Sequence, residues 1–396
     1  MRILFLTYFY PPDLSACSFR MGSLISHLIP RLPAGSKVDL FTTKPNRYAS
    51  FDIESLDKEE EGPLTIERIQ LPPHKSGMLD QARAFATFDR AVAKRIKDRK
   101  YDLVFVTTGR LMSAFLAARI ASRIRAPLFI DIRDIFVDTI KDVLPGWRGR
   151  LVLPILDRIE KYSFGKATLL SLVSEGFKSY FKKRYPIIPT IFFTNGIDDI
   201  FIGEQWEKIE TPHEGPIRVL YAGNIGEGQG LHKILPQLAT LAGERYKFIV
   251  VGDGGRKSML VQAMKDVKGS EVEFLPPVDR IGLIQLYKNC DILFLHLNNY
   301  EAFAKVLPSK IFEYAATGKP ILAGVGGFFA DFLHSQVDNC QIFPPCDAES
   351  GFQAMKNLTL RTTARTKFVK DYARNEIMER MAETLIQLGT RKPFDK

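Results

Sequence analysis

The chain has no apolar run approaching the roughly 18 residues that a helix needs to cross a bilayer, so no helical span is expected. The opening MRILFLTYFYPP is too short, and broken too soon by Pro11 and Pro12, for a signal peptide. It reads as a buried first strand, and a cytoplasmic location follows. Cysteine is sparse: Cys17, Cys290, Cys340 and Cys346 show no C-x-x-C spacing and no histidine at ligand distance in sequence. Reduced structural thiols are expected and a zinc site is not. The histidines His27, His74, His213, His232, His296 and His334 share no motif, so none is assigned a catalytic role. Helix-turn-helix, RNP and zinc-finger signatures are also lacking, and no nucleic-acid partner is expected.

What is present is an ordinary globular composition, 45% hydrophobic and 25% charged. At 396 residues the chain exceeds the roughly 250–300 at which one core stops growing, so two domains are expected. The net charge of +10 is uneven, with +9 in residues 1–200 and +1 in residues 201–396. It concentrates between Lys141 and Tyr185, where Lys and Arg interleave with Trp147, Tyr162, Phe177, Tyr180, Phe181 and Tyr185, and where Leu151, Ile155, Ile159 and Tyr162 share one helical face. Three readings stay open there: a solvated basic face over core residues, a patch for an anionic membrane surface, and nucleic-acid binding.

Short apolar runs alternate with amphipathic stretches almost from end to end, the pattern of parallel α/β architecture. RILFLTYF, KVDLFTT, LTIERIQL, DLVFVTT, PLFIDIR, TLLSLVS and IIPTIFFTN are strand candidates before Asn195. IRVLYAG, KFIVVGDG, VEFLPPV, DILFLHL, PILAGV and CQIFPP follow Pro216. The turn-rich, charged segment from Asn195 to Pro216 is the linker candidate, and FVKDYARNEIMERMAETLIQLG reads as a terminal helix. The expected bounds are residues 1–200, 201–370 and 371–396. Ligands of open parallel sheets bind beyond the C-terminal strand ends, so a central cleft faced by both domains is the expected site.

Three turns in the second half suit an anion. YAGNIGEGQGL and VVGDGG have the strand–glycine turn–helix form that lets backbone N–H groups approach a phosphate. In VLPSKIFEYAATGKPIL, Pro308 and Ser309 start a short helix at Lys310, and Gly318 and Pro320 stop it. A lysine in the first turn faces the positive end of the helix dipole, which a bound diphosphate would balance. An i,i+3 pair with Glu313 is the alternative, worth about 0.2–0.5 kcal/mol.

These motifs in this order, with LYKNCDILFLHL and TNGID, resemble the C-terminal half of a GT-B glycosyltransferase of family 4, and FYPP, IDIRD and LVSEGFK fit the N-terminal half. The resemblance implies two Rossmann-like domains with the C-terminal helix packing back toward the first. It implies that Glu313, matching the second carboxylate of E-x7-E, holds the donor ribose, that Gly318-Lys319-Pro320 matches a G-K-P ending, and that Gly223 opens the phosphate loop. The donor-side candidates are Gly223, Asn224, Gln229, Gly230, Gly252, Lys305, Ser309, Lys310 and Glu313, with Lys310 stabilising the leaving group. Three positions depart from the pattern: Lys305 replaces the first carboxylate, and neutral Asn224 and Gln229 replace the Arg and Lys that clamp the diphosphate. Lys310 and Lys305 are the substitutes. There is no D-x-D triplet, so no metal requirement and no cofactor are expected.

On the acceptor side the candidates are Ser15, Arg20, Asp131, Arg133 and Asp134, with Asp134 orienting the acceptor hydroxyl. Arg20 as a solvated helix charge, and Asp131 or Asp134 as a structural partner of Arg133, are the alternatives. The family resemblance, closest to the branch that builds bacterial O-antigen and capsule and includes N-acetylfucosaminyl transferases, implies a metal-independent, retaining enzyme. Its donor would be a UDP-linked sugar and its acceptor a polyprenyl-diphosphate-linked saccharide, reached from a peripheral position on an anionic inner membrane face. A GT-B nucleotide-sugar epimerase and a non-catalytic sugar-nucleotide-binding protein are the other readings.

Overall fold

The computed structural model describes residues 1–45, 55–72, 78–108, 110–144, 146–206 and 215–390. His74, His213, residues 207–214 of the linker candidate, residues 391–396 and the side chain of Trp147 lie outside the described residues. The chain divides into two compact units, one made of Met1–Asn195 with Asn375–Lys396, the other of Gly196–Arg374.

In the first unit the strands are β1 (Arg2–Leu6), β2 (Lys37–Thr43), β3 (Lys58–Glu61), β4 (Leu64–Ile69), β5 (Leu103–Thr107), β6 (Leu128–Ile132), β7 (Leu169–Leu172) and β8 (Thr190–Phe192). They form one sheet in the order β3-β4-β2-β1-β5-β6-β7-β8, parallel except for β3 against β4. β5 and β6 are buried along their whole length, as strands covered on both faces must be. Phe5, Phe105 and Phe129 stand in register on neighbouring strands, with ring centroids 4.1 and 5.5 Å apart. Each such buried ring contributes about 1.5–3 kcal/mol. The chain reverses its direction of travel across the sheet between β1 and β5, so the loops after these strands open at a switch point.

The second unit holds β9 (Ile217–Ala222), β10 (Tyr246–Val251), β11 (Glu271–Leu275), β12 (Ile292–His296), β13 (Ile321–Gly324) and β14 (Cys340–Phe343). All are parallel, in the order β11-β10-β9-β12-β13-β14, and the switch point lies between β9 and β12. The GT-B fold class, with two parallel Rossmann-like sheets, is therefore the observed one.

Two elements differ from the reading of the sequence. β3, KEEE, has no apolar residue to signal it; it is a charged antiparallel edge, a usual way to protect a sheet margin. The terminal helix is two helices, Thr366–Asp371 and Arg374–Thr390. They are parted where Ile197 N–H donates to Tyr372 O and Arg374 N–H donates to Ile197 O, an extended pairing that a continuous helix could not make. The second of these helices packs on the first unit, as expected. Glu379 pairs with Arg31, Met381 Sδ accepts from Arg20 at 3.6 Å, and Gly389 lies against Met1 and Leu103.

Candidate active site

The helix Lys310–Ala316 begins at the lysine, and its Ile311, Phe312, Tyr314 and Ala315 are buried in the core of the second unit. Ser309 precedes it with helical backbone angles (φ −59°, ψ −29°), and its hydroxyl does not cap the helix. At the other end the buried Arg365 donates to the carbonyls of Ala315, Lys319 and Asp338 at 3.3, 3.0 and 2.9 Å, a cation at the negative helix end. Burial brings the pKa of Arg365 down to about 10.

The ion pair weighed against the anion reading does form. Lys310 Nζ lies 3.0 Å from Glu313 Oε2 and donates to the Tyr287 hydroxyl at 3.3 Å, while that hydroxyl donates to the same Oε2 at 2.9 Å. Burial pushes the Glu313 carboxyl up, but the Lys310 ammonium, together with Arg280 and the Tyr287 hydroxyl, more than offsets it and holds the pKa below the ordinary value. Burial, with Glu313 alongside, raises Tyr287 well above its ordinary value, so it stays a donor. Both described bonds to Glu313 end on Oε2.

Lys310 is also beside the first glycine turn: a Cβ built on Gly223 would lie 3.9 Å from its Cε. Gly252 has φ +138°, and a Cβ there would stand 1.9 Å from Gly223 O, so glycine is required to let the turns after β9 and β10 meet. Part of the hydrogen bonding in these turns is internal. Gly223 N–H donates to Val251 O at 2.9 Å, and Ile225 N–H to Asp253 O at 2.8 Å.

The two neutral clamp positions bind one another, Asn224 Nδ2 donating to Gln229 Oε1 at 2.8 Å, and Gly226 N–H reaches the same oxygen at 3.3 Å. Gly230, at φ +61°, packs on Asn298. Lys305 ends the short 3-10 turn Glu301–Lys305, its Nζ 3.8 Å from Glu301 Oε1. The structure thus gathers Gly223, Gly252 and Lys310–Glu313 at the ends of β9 and β10, and Asn224, Gln229 and Gly230 in the same loop. Lys305 and Ser309 belong to the connection after β12.

In the first unit, Ser15 caps the helix Ala16–Leu28 by accepting from Ser18 N–H at 3.1 Å. Arg20, on that helix, is not a solvated charge. It and Asp131 are fully buried, joined by Nε–Oδ2 and Nη2–Oδ1 bonds of 3.1 and 3.0 Å. Arg20 further donates to Phe193 O and Thr194 O at 2.8 and 2.5 Å, and Asp131 accepts from Ser171 and Thr107 at 2.8 and 3.3 Å. Asp131 is therefore the partner of Arg20, not of Arg133. Arg133 donates to Asn195 Oδ1 at 2.6 Å, and Asp134 is exposed in the loop after β6. In the basic segment, Phe164, Phe177, Phe181 and Tyr185 are core, whereas Leu151 and Ile155 on the helix Trp147–Gly165 are 65% and 57% exposed.

Residues 203–375 match the family described as glycosyl transferases group 1, and residues 21–190 match the glycosyl transferase 4-like domain. The second half of the chain thus carries a glycosyl transferases group 1 domain and the first a glycosyl transferase 4-like domain. The chain is 25% identical over 343 residues to "Putative colanic acid biosynthesis glycosyl transferase WcaI" of Escherichia coli (strain K12), covering 80% of this chain and 82% of the relative. Its fold is similar to that of WaaG, a glycosyltransferase involved in lipopolysaccharide biosynthesis (TM-score 0.64, 14% identity, 98% and 97% of the two chains). It is also similar to Anabaena Alr3699/HepE solved with UDP and glucose (TM-score 0.66, 17% identity, 98% and 100%).

Several residues around the glycine turns escape a reading by motif. His296, at the end of β12, is buried between the Gln229 carbonyl, 2.6 Å from Nδ1, and the Cys346 N–H, 2.9 Å from Nε2. Burial lowers its pKa to about 4, so the ring is neutral, with the proton on Nδ1. Tyr287 lies in LYKNCD, where only the fold reveals its bond to Glu313. Glu227 is visible in the sequence as an acid among the glycines of YAGNIGEGQGL, but its partners are not.

Proposed function

We propose that this protein is a glycosyltransferase that moves a sugar, with retention, from a UDP-linked nucleotide-diphospho-sugar to a lipid-linked saccharide acceptor in the building of a bacterial envelope polysaccharide. The observation that carries the reading is Lys310, tied to Glu313 and lying against Gly223 at the ends of β9 and β10. In this reading the ammonium meets the diphosphate as charge develops on the leaving oxygen, and the ribose hydroxyls bind Glu313 through Oε1, since Oε2 already serves Lys310 and Tyr287. A neutral Asn224–Gln229 pair then makes Lys310 the main fixed cation for the diphosphate. The acceptor hydroxyl attacks the anomeric carbon from the face the leaving group departs. Its proton passes to the departing phosphate oxygen, so no protein base and no metal take part. The similarity to a colanic acid relative supports the envelope assignment, and the Alr3699/HepE complexes support UDP.

We assign the acceptor to the first unit, with Arg133 and Asp134 as its contacts. The exposed Leu151 and Ile155, with Arg150, Arg158 and Lys161 also exposed on the same helix, suit an anionic membrane face. Among the described residues no helix is long and apolar enough to cross a membrane. Incubation with a panel of nucleotide sugars and a polyprenyl-diphosphate-saccharide tests the reading. Transfer with retained anomeric configuration supports it; epimerisation, or binding with no turnover on any acceptor, replaces it with one of the other two activities.

A further inference from the structure

Glu227 is out of place by charge. It sits in the middle of the Gly223–Gly230 turn, where a carboxylate repels any phosphate. Yet its surroundings are built. Oε2 accepts from Arg256 Nε at 2.6 Å, and Oε1 accepts from the Tyr300 hydroxyl at 2.7 Å and from Asn298 Nδ2 at 3.2 Å. The neighbouring backbone is held by the same partners: Asn298 Nδ2 donates to Glu227 O at 2.9 Å, Asn298 N–H to Gly228 O at 2.8 Å, and Arg256 N–H to Ile225 O at 2.9 Å. One side chain thereby ties together three turns of the second unit, those after β9, β10 and β12. Burial pushes the carboxyl up, but the Tyr300 and Arg256 bonds outweigh it and hold it ionised.

We infer that Glu227 is a positioning residue for the donor diphosphate: by binding Arg256, Tyr300 and Asn298 it fixes the shape of the glycine turn against which the phosphates lie. The inference rests on the donor reading of that turn and of Lys310. It opposes the simple electrostatic expectation, since removing a negative charge from an anion site should tighten binding. Geometry and charge thus predict opposite signs.

The test uses the full chain and, of UDP, GDP, ADP and CDP, the one that the wild type binds most tightly by titration calorimetry, with the matching nucleoside followed by ligand-observed NMR. Glu227→Ala and the near-isosteric Glu227→Gln are compared, with circular dichroism confirming the fold; if the alanine variant does not fold, the glutamine variant carries the test. Expected is at least a tenfold loss of diphosphate affinity with less than a twofold change for the nucleoside. Equal or tighter diphosphate binding by the folded variants overturns the inference. So does an equal loss for nucleoside and diphosphate, which marks general support of the fold. Lys310→Ala separates the two levels of argument. If it alone loses diphosphate binding, the inference about Glu227 fails and the donor reading stands. If the wild type binds none of the four, or Lys310→Ala and Glu227→Ala both bind like wild type, the donor reading falls and takes the inference with it.

Discussion

Arg20 and Asp131, 111 positions apart in sequence, form a two-pronged ion pair from which water is fully excluded. Removing one partner strands the other charge, so Arg20→Ala or Asp131→Asn is expected to cost about 3–5 kcal/mol. Replacing both with leucine is expected to cost less than either single change. Urea denaturation measures this, and single variants within about 1 kcal/mol of wild type would refute it.

Lys310→Ala tests the chemistry. The pair with Glu313 is largely buried, and Glu313 keeps the Tyr287 hydroxyl when the ammonium is removed, so the cost to stability is expected to be about 1–3 kcal/mol. Loss of a fixed charge stabilising a transition state typically lowers kcat by about 10²–10³. Turnover is therefore expected to fall a hundredfold or more while the variant, though less stable, remains folded by circular dichroism at the assay temperature. Undiminished turnover would remove Lys310 from the mechanism.

His296 gives a pH dependence. Its ordinary pKa is 6.5 and its folded value about 4, so between these pH values the unfolded chain binds the proton and the native state does not. The contribution is complete above about pH 6.5 and is lost progressively as pH falls toward about 4, by on the order of 3 kcal/mol. Denaturation at pH 7.5 and 4.5 should show this slope in the wild type, and His296→Gln should flatten it. An unchanged slope in that variant would contradict the assignment.

Binding to vesicles containing anionic lipid is expected to weaken as salt rises and to drop in Leu151→Ser/Ile155→Ser, which removes apolar area without altering charge. Cosedimentation reads both effects. Equal binding to neutral and anionic vesicles would withdraw the membrane assignment.

Much of the fold was legible because buried parallel strands are continuous apolar runs, as in LVFVT and ILFLH. The start of the helix at Lys310 was legible because proline and glycine punctuate it. β3 was not, because a charged edge strand buries nothing that a pattern can report. Nor were the Arg20–Asp131 pair and the contacts of Glu227 and His296. These join residues 29 to 111 positions apart, and which polar groups meet over such spans depends on strand order, which periodicity does not encode. The same limit applied to Asn224 and Gln229: the missing cations were visible, but not that the two amides close on one another.

The helix Arg374–Thr390 completes a unit whose other part ends at Asn195. During synthesis the whole of Gly196–Arg374 must therefore emerge from the ribosome before the earlier-made sheet receives its last helix. Until then the surface that takes Met381 and Gly389 waits uncovered. A chain halted after Arg374 would leave that first sheet with an open apolar flank, a natural target for chaperones while translation finishes.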